Sequence, residues 1–152
     1  MKRAMTILAV LLPLACSRPA PLGPPDVQYG QTDCAQCGMT VSDERFAAGL
    51  VLEMPDGQRE GKAFDDIGCM SAFVQARHEG TVLARYVKDF NTRQWLAADK
   101  ASYVRGDAIL SPMGYGLLAV QDGNDARAIA AAKSATVVLN PAAAASPSAA
   151  AR

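Results

Sequence analysis

The side chains best suited to chemistry are sulfur-bearing residues in one short stretch of the chain. Residues 34–39 read Cys-Ala-Gln-Cys-Gly-Met, which places two thiols and one thioether close together. The Cys-x-x-Cys spacing brings both thiols within reach of one metal ion or of each other. On extended backbone Cys37 and Met39 project to the same side, and Gly38 lets the chain bend close to an ion. Thiolate and thioether are soft ligands, so this stretch favours Cu(I) over Zn(II) or a hard cation.

Three other roles for Cys34 and Cys37 remain open from the residues alone. In an exported protein the pair could form a plain disulfide. It could supply half of a zinc site, although the sequence has neither a second Cys-x-x-Cys nor a His-x-x-x-His. It could act as a thioredoxin-like redox pair, but that motif opens a helix. Here Gly38 and then Thr40-Val41 follow the second cysteine, which does not favour a helix.

A second sulfur-bearing motif is Phe-Asp-Asp-Ile-Gly-Cys-Met at residues 64–70. Cys69 falls in the first turn of a predicted helix, where unpaired backbone amides lower the pKa of a thiol. Both a buried apolar role and a role as a site thiol remain open for Cys69. Met70 falls on the apolar face of the same helix, which predicts that it packs in the core.

The remaining candidate ligands are one methionine and the single histidine. Met113 lies in the stretch Pro-Met-Gly-Tyr-Gly at residues 112–116, which predicts a loop. A flexible thioether on a loop suits a partner surface or an exchangeable metal ligand. His78 lies near the predicted end of a helix, where a solvated role is favoured over metal binding. A single histidine in the chain argues against a multi-histidine metal centre and against a conventional catalytic triad.

The start of the chain is typical of an export signal. Residues 1–15 combine Lys2 and Arg3 with an apolar run at 7–14, which is too short to span a bilayer. The run ends in Leu-Pro-Leu-Ala-Cys, which resembles a bacterial lipobox and predicts acylation of Cys16. The alternative is an ordinary signal peptide in which Cys16 has no special role.

The elements that must position the sulfur residues form a single small module. The proline-rich residues 16–26 predict a tether, and the Ala/Pro/Ser-rich residues 140–152 predict a disordered tail. Turn signals and apolar periodicity predict an α+β fold of two small consecutive ββαβ units, residues 27–90 and 91–139. The 15 basic and 15 acidic residues balance, so nothing in the charge indicates nucleic-acid binding.

Individual elements follow from the same patterns. The first unit is predicted to contain strands at 46–54, 58–64 and 81–90, with a turn at 55–57. Its helix begins at a cap on Asp65 or Asp66 and runs to about His78, where Gly80 ends it. The second unit is predicted to contain short strands near Trp95 and Tyr103, strands at 117–120 and 136–139, and a helix at 125–133 capped by Asn124.

The export signal and the three motifs together resemble the NosL family, the accessory lipoproteins of nitrous oxide reductase. The resemblance covers residues 33–133. It implies a fold of two ββαβ units and a non-enzymatic, lipid-anchored Cu(I) chaperone facing the periplasm. It also implies a membrane ABC-type transporter complex as partner and, indirectly, apo-nitrous oxide reductase, whose copper–sulfide centre receives the metal. The ligands it implies for Cu(I) are Cys37 and Met39, then Met113, with Cys34 and Cys69 as further contributors.

Two functional hypotheses compete with copper delivery to nitrous oxide reductase. One is a thiol–disulfide oxidoreductase that uses Cys34 and Cys37, for which Met39 has no purpose. The other is a copper chaperone for a different exported copper enzyme. A lipoprotein interaction module with a structural disulfide is a further, non-catalytic possibility.

Overall fold

The computed structural model describes residues 22–76 and 79–139 of the 152-residue chain. Within these ranges it contains seven strands and two helices in the order β1-β2-α1-β3-β4-β5-β6-α2-β7. The strands are β1 Ala48–Glu53, β2 Arg59–Phe64, β3 Thr81–Lys88, β4 Trp95–Ala97, β5 Ser102–Arg105, β6 Leu117–Val120 and β7 Thr136–Val138. The helices are α1 Ile67–Gln75 and α2 Gly123–Ala132. The predicted α+β class with two consecutive ββαβ units is confirmed.

The first sheet has the strand order β2-β1-β3-β4, and all neighbouring strands are antiparallel. The predicted turn between β1 and β2 is present, and Gly57 adopts a φ of +80° there. Its amide donates to the carbonyl of Met54 at 2.8 Å. Strand β1 lies in the middle of the sheet, and every residue from Ala48 to Leu52 is buried. Because successive strand residues point to opposite faces of the sheet, both faces of β1 are covered.

The predicted short strand near Trp95 pairs with β3 and so belongs to the first sheet. The hydrogen-bonded boundary between the two sheets consequently lies after residue 97 rather than at residues 90–91. The cause is a tight turn organised by Asp89, whose Oδ1 accepts from the amides of Asn91 at 2.9 Å and Thr92 at 2.8 Å. This turn folds β4 back against β3 as a hairpin.

The second sheet has the order β6-β5-β7 and is covered by α2. The predicted cap of this helix at Asn124 is wrong. Asp122 is the N-cap, and its side chain accepts from the amide of Asn124 at 2.7 Å. The side chain of Asn124 instead accepts from Arg127 Nη2 at 2.6 Å. The helix therefore begins two residues earlier than the sequence indicated.

Helix α1 is shorter than predicted. Its N-cap is Asp66, one of the two predicted cap residues. The helix ends at Gln75 and not near His78. Ala76 closes it, because its amide still donates to the carbonyl of Ala72 at 3.0 Å while its ψ of 155° is extended. His78 itself lies outside the described residues.

The two sheets share one core. The largest buried cluster combines side chains from both: Leu50, Phe64, Met70 and Val87 from the first unit, and Tyr103, Leu117 and Ala119 from the second. Met70 is therefore a core residue, as predicted. The sheets are also joined through backbone, because the amide of Phe90 donates to the carbonyl of Ala119 at 2.8 Å. The two units form a single compact module.

The chain enters the fold across the outer surface of the first sheet. Pro25 lies directly over two glycines of β1 and β2. A Cβ added at Gly49 would be 2.5 Å from the Pro25 ring, and one at Gly61 would be 3.1 Å from Pro25 Cβ. At Gly49 only glycine leaves room for the ring, and at Gly61 a Cβ would make a tight contact with it. The end of the predicted tether therefore rests on the sheet.

The predicted signal sequence, Cys16, the start of the tether and the Ala-rich tail lie outside the described residues. Neither helix in the described part of the chain has the length and apolar character that a bilayer crossing requires.

Candidate metal centre

The Cys-x-x-Cys stretch forms a tight loop that precedes β1. The amide of Cys34 donates to the carbonyl of Met39 at 2.7 Å, and the amide of Gly38 donates to the carbonyl of Cys34 at 2.9 Å. Gly38 has a φ of +73°, a conformation that residues with a Cβ seldom adopt. The backbone between Cys37 and Met39 is therefore turned rather than extended, contrary to the spacing argument. The amide of Ala35 bonds the carbonyl of Ala63 at 2.9 Å, which fixes the loop to the end of β2.

Cys69 comes from a different element, the first turn of α1. This turn is held by Asp66, whose Oδ1 accepts from the amide of Gly68 at 2.8 Å. The apolar neighbours Ile67 and Met70 are buried, which places the turn against the first sheet. Cys69 is 1% exposed and belongs to the same buried cluster as Cys34. Cys69 therefore fills both of the roles left open by the sequence: it is buried, and its thiol belongs to the cluster.

Three thiols converge where the loop meets the helix. The Sγ atoms of Cys34, Cys37 and Cys69 all lie within 4.8 Å of one another, and all three residues are free cysteines. Cys34 is 2% exposed and as deeply buried as Cys69, whereas Cys37 is open to solvent. Three sulfurs at this spacing can bind a single soft metal ion. One face of the cluster remains accessible through Cys37.

The electrostatics of the thiols are unequal. The pKa of Cys34 is lowered to about 5, mainly by a hydrogen bond from the Cys69 thiol. Backbone hydrogen bonds from Asp65, Cys37 and Gln36 contribute to this, while burial opposes it. The hydrogen bond between the two thiols, with burial and the negative charge of Cys34, raises the pKa of Cys69 well above the ordinary value. Cys34 is therefore a thiolate at neutral pH, and Cys69 is the thiol that donates to it.

Cys37 differs from both buried thiols. Partial desolvation raises the pKa of Cys37, and the nearby Cys34 charge adds to this, while a hydrogen bond from the Met39 backbone opposes it. The metal-free cluster thus holds one thiolate and two protonated thiols near neutral pH. A metal ion that binds all three sulfurs must displace the remaining protons.

A loop from the second unit lies against this cluster. Ser111 Oγ donates to Asp66 Oδ2 at 2.5 Å, and the amide of Met113 donates to the same oxygen at 3.2 Å. Tyr115 packs its ring on Gly68, where an added Cβ would come within 2.0 Å of the ring. Burial raises the pKa of Tyr115, and the negative charge of Asp66 raises it further.

The two predicted thioether ligands occupy different surroundings. Met39 is 56% exposed and lines an open cavity of about 590 Å³ between its own loop and residues 110–112. Met113 is partly buried and packs against the core cluster that contains Cys34 and Cys69. The structure therefore brings the three cysteines together, sets Met39 on the solvent side, and places Met113 on the loop of the second unit. Cys16 lies outside the described residues.

Asp66, Ser111 and Tyr115 organise the site but were not identified as site residues from the sequence. The sequence predicts Asp66 only as a helix cap and assigns no role to Tyr115. The available signal is an acidic pair at residues 65–66 followed by Ile-Gly-Cys. Two consecutive aspartates that are both buried, at 2% and 0% exposure, require several hydrogen-bond donors around them.

Comparison with known proteins agrees with the fold. The NosL family model matches residues 27–140, which is most of the chain. Comparison with curated proteins gives no match. Among solved structures, the crystal structure of the copper chaperone NosL from Shewanella denitrificans is similar, with a TM-score of 0.66 and 17% sequence identity. The similarity covers 78% of this chain and 93% of that one. On the extent of the family match, this chain belongs to the NosL family.

Proposed function

We propose that this protein is a Cu(I)-binding metallochaperone and not an enzyme. The observation that carries this proposal is the convergence of Cys34, Cys37 and Cys69, with their Sγ atoms within 4.8 Å of one another. A cluster of thiols with thioethers nearby offers only soft donors. Such donors favour Cu(I), whereas Zn(II) usually takes four ligands and gains little from a thioether. The related Shewanella protein is described as a copper chaperone, which is consistent with this choice of metal.

The exposure gradient across the cluster suits delivery rather than storage. Cys34 and Cys69 are buried, while Cys37 and Met39 face solvent. An acceptor must bring its own sulfur to the ion before the donor releases it, so the exchange begins where the site is open. We infer that Cys37 and Met39 form the transfer side of the site, and that the two buried thiols are the last to release the ion.

The cellular setting is part of the proposal. The export signal and Cys16 support a lipid-anchored protein that faces the periplasm. Membership of the NosL family supports delivery of copper for the copper–sulfide centre of nitrous oxide reductase. A membrane ABC-type transporter complex is the proposed direct partner, and apo-nitrous oxide reductase receives the metal indirectly. Delivery to another exported copper enzyme is the alternative, and genes adjacent to this one would separate the two.

Competitive metal titration tests the proposed function. Reduced protein without residues 1–15 is titrated with Cu(I) against a chromogenic Cu(I) chelator, and separately with Zn(II). We expect one Cu(I) per chain and preference for Cu(I) over Zn(II). Preference for Zn(II), or an absence of Cu(I) binding by the fully reduced protein, would contradict the proposal.

Variants of the methionines separate copper binding from disulfide exchange. Met39→Ala keeps all three thiols and should lower Cu(I) affinity about tenfold or more, which corresponds to about 1.4 kcal/mol. Met54→Ala, which removes a thioether next to the β1–β2 turn, is the control and should leave the affinity unchanged. If Met39→Ala has no effect on affinity and the wild-type protein reduces disulfides, the oxidoreductase hypothesis replaces this one.

A further inference from the structure

The carboxylate of Asp66 joins elements of both units at the metal centre. It is fully buried, and its two oxygens serve different partners. Oδ1 accepts from the amide of Gly68 and so caps α1, the helix that carries Cys69. Oδ2 accepts from Ser111 Oγ at 2.5 Å and from the amide of Met113 at 3.2 Å. One side chain therefore holds the Cys69 turn with one oxygen and the Met113 loop with the other.

Backbone hydrogen bonds shape this loop internally, since the amide of Gly114 donates to the carbonyl of Ser111 at 3.0 Å, and Asp66 Oδ2 links the loop to the first unit. Ser111 Oγ also accepts from the amide of Gly116 at 3.1 Å, so the hydroxyl connects Asp66 to both ends of the loop. Tyr115, between these ends, lies on Gly68 next to Cys69. A buried carboxylate that receives hydrogen bonds is stabilising, but removal of its charge leaves buried donors without an acceptor. The loop position therefore depends on the Asp66 carboxylate.

We propose that Asp66 is a positioning residue of the metal centre, which holds the 111–116 loop over the thiols so that Met113 completes the site. This inference rests on the proposed function for the role of Met113, but the placement of the loop can be tested without metal. Asp66 contacts no metal ion in this scheme and acts only through Ser111, Met113 and Tyr115. The second unit thereby contributes to a site whose thiols all come from the first.

Asp66→Asn is the informative variant because it separates the two oxygens. Asparagine caps helices about as well as aspartate, so its amide oxygen can still accept from Gly68. Its NH₂ group cannot accept from the amide of Met113, which therefore loses its acceptor. The Ser111 hydroxyl can no longer donate there either, and keeps a contact only if it turns to accept from the NH₂ group. The variant should keep the helix and release the loop.

The metal-free test measures the rate at which iodoacetamide alkylates each thiol, resolved by mass spectrometry. Cys37 is already exposed and is the internal reference. Iodoacetamide reacts with the thiolate, so the buried thiolate Cys34 is followed together with Cys69. We expect Asp66→Asn to raise the alkylation rates of these two buried cysteines relative to Cys37 about tenfold or more, because the loop no longer covers them. Ser111→Ala removes one of the two loop contacts and should raise both rates by a smaller factor.

Asp122→Asn is the matched control. Asp122 caps α2 with the same geometry, since its Oδ1 accepts from Asn124 at 2.7 Å, but it has no contact with the 111–116 loop among the described hydrogen bonds. This substitution should leave both rates unchanged. Equal rates in wild-type protein, Asp66→Asn and Ser111→Ala would overturn the proposal, and so would an equal rise in Asp122→Asn.

The second measurement is a double-mutant cycle on Cu(I) affinity. In the wild-type background Met113→Ala should lower the affinity about tenfold. In the Asp66→Asn background it should have little further effect, because the thioether is already displaced. An equal loss in both backgrounds would overturn the role of Asp66 in placing Met113. Failure of the wild-type protein to bind Cu(I) would instead refute the proposed function, while the alkylation rates still decide the placement of the loop.

Discussion

At the residue scale, three chemically identical thiols have acquired different properties from their surroundings. Cys34 is a buried thiolate, Cys69 is a buried thiol that donates to it, and Cys37 is an exposed thiol. The hydrogen bond between the first two means that one proton is already lost before a metal ion arrives. At neutral pH a metal ion therefore competes with the protons of Cys37 and Cys69 only, and a third proton competes as the pH falls through about 5, where Cys34 is protonated.

Titration of the thiolate absorbance in the metal-free protein tests this arrangement. The lowest step should belong to Cys34 at a pKa of about 5, since the pKa values of the other two thiols are raised. Cys69→Ala removes the donor that contributes most, so the pKa of Cys34 should rise towards that of an ordinary cysteine. Cys69→Ser keeps a hydroxyl donor and should keep the pKa low. The same pKa for Cys34 in both variants would contradict the hydrogen bond as its cause.

At the element scale, the contact between α1 and the 111–116 loop depends on the absence of one side chain. An alanine in place of a helical glycine normally stabilises a protein by removing freedom from the unfolded chain. At Gly68 the added methyl would instead overlap the Tyr115 ring, since the ring atoms lie 2.0 to 2.4 Å from an ideal Cβ. The sign of the change therefore reports whether this contact exists.

Gly68→Ala should lower the free energy of unfolding by about 1–3 kcal/mol, the usual cost of overpacking. Gly123→Ala in α2 is the matched control, because its nearest neighbours would be 3.6 Å away. It should leave the stability unchanged or raise it by less than about 1 kcal/mol. Urea denaturation measures both variants. A stabilised Gly68→Ala would show that the ring does not pack on the helix.

Most elements, but not their ends, could be predicted from the sequence. The strands and the turn at Gly57 follow from local patterns, and these were correct. The cap of α2 was wrong because Asp122 and Asn124 are equivalent cap residues. The end of α1 was wrong because Ala76, which closes the helix, carries no local stop signal. Membership of β4 in the first sheet was also missed, since it depends on a turn made by the Asp89 side chain. Local pattern does not decide which distant strand a short segment will join.

The candidate site could be predicted only in part from the sequence, for the same reason. The Cys-x-x-Cys-Gly-Met stretch identified Cys34 and Cys37 directly, because their chemistry depends on short spacing. Cys69 could not be assigned, since a thiol on the edge of an apolar helix face is equally consistent with core packing. The link through Asp66 spans 45 residues to Ser111 and has no local signature. Long-range polar contacts of this kind emerge only when the chain is folded.

At the scale of the whole molecule, the proposed lipid anchor makes a direct prediction about fractionation. Full-length protein expressed in a bacterial host should separate with membranes, and Cys16→Ser should be released to the soluble fraction. Cys37→Ser, which changes an exposed thiol within the folded module, is the matched control and should remain with membranes. Identical fractionation of wild-type protein and Cys16→Ser would mean that the lipobox interpretation is wrong.

The packing of Pro25 on Gly49 and Gly61 limits the distance between the folded module and such an anchor. Only residues 16–24 remain between the acylated cysteine and the first fixed point, and fully extended they reach about 30 Å at most. In the proposed anchored form the module stays within a thin layer above the bilayer and does not diffuse through the whole compartment. Confinement of this kind raises the local concentration of carrier around a membrane-bound acceptor without any added contact between them. An acceptor whose entry point lies beyond that layer would be served poorly, however well its ligands matched.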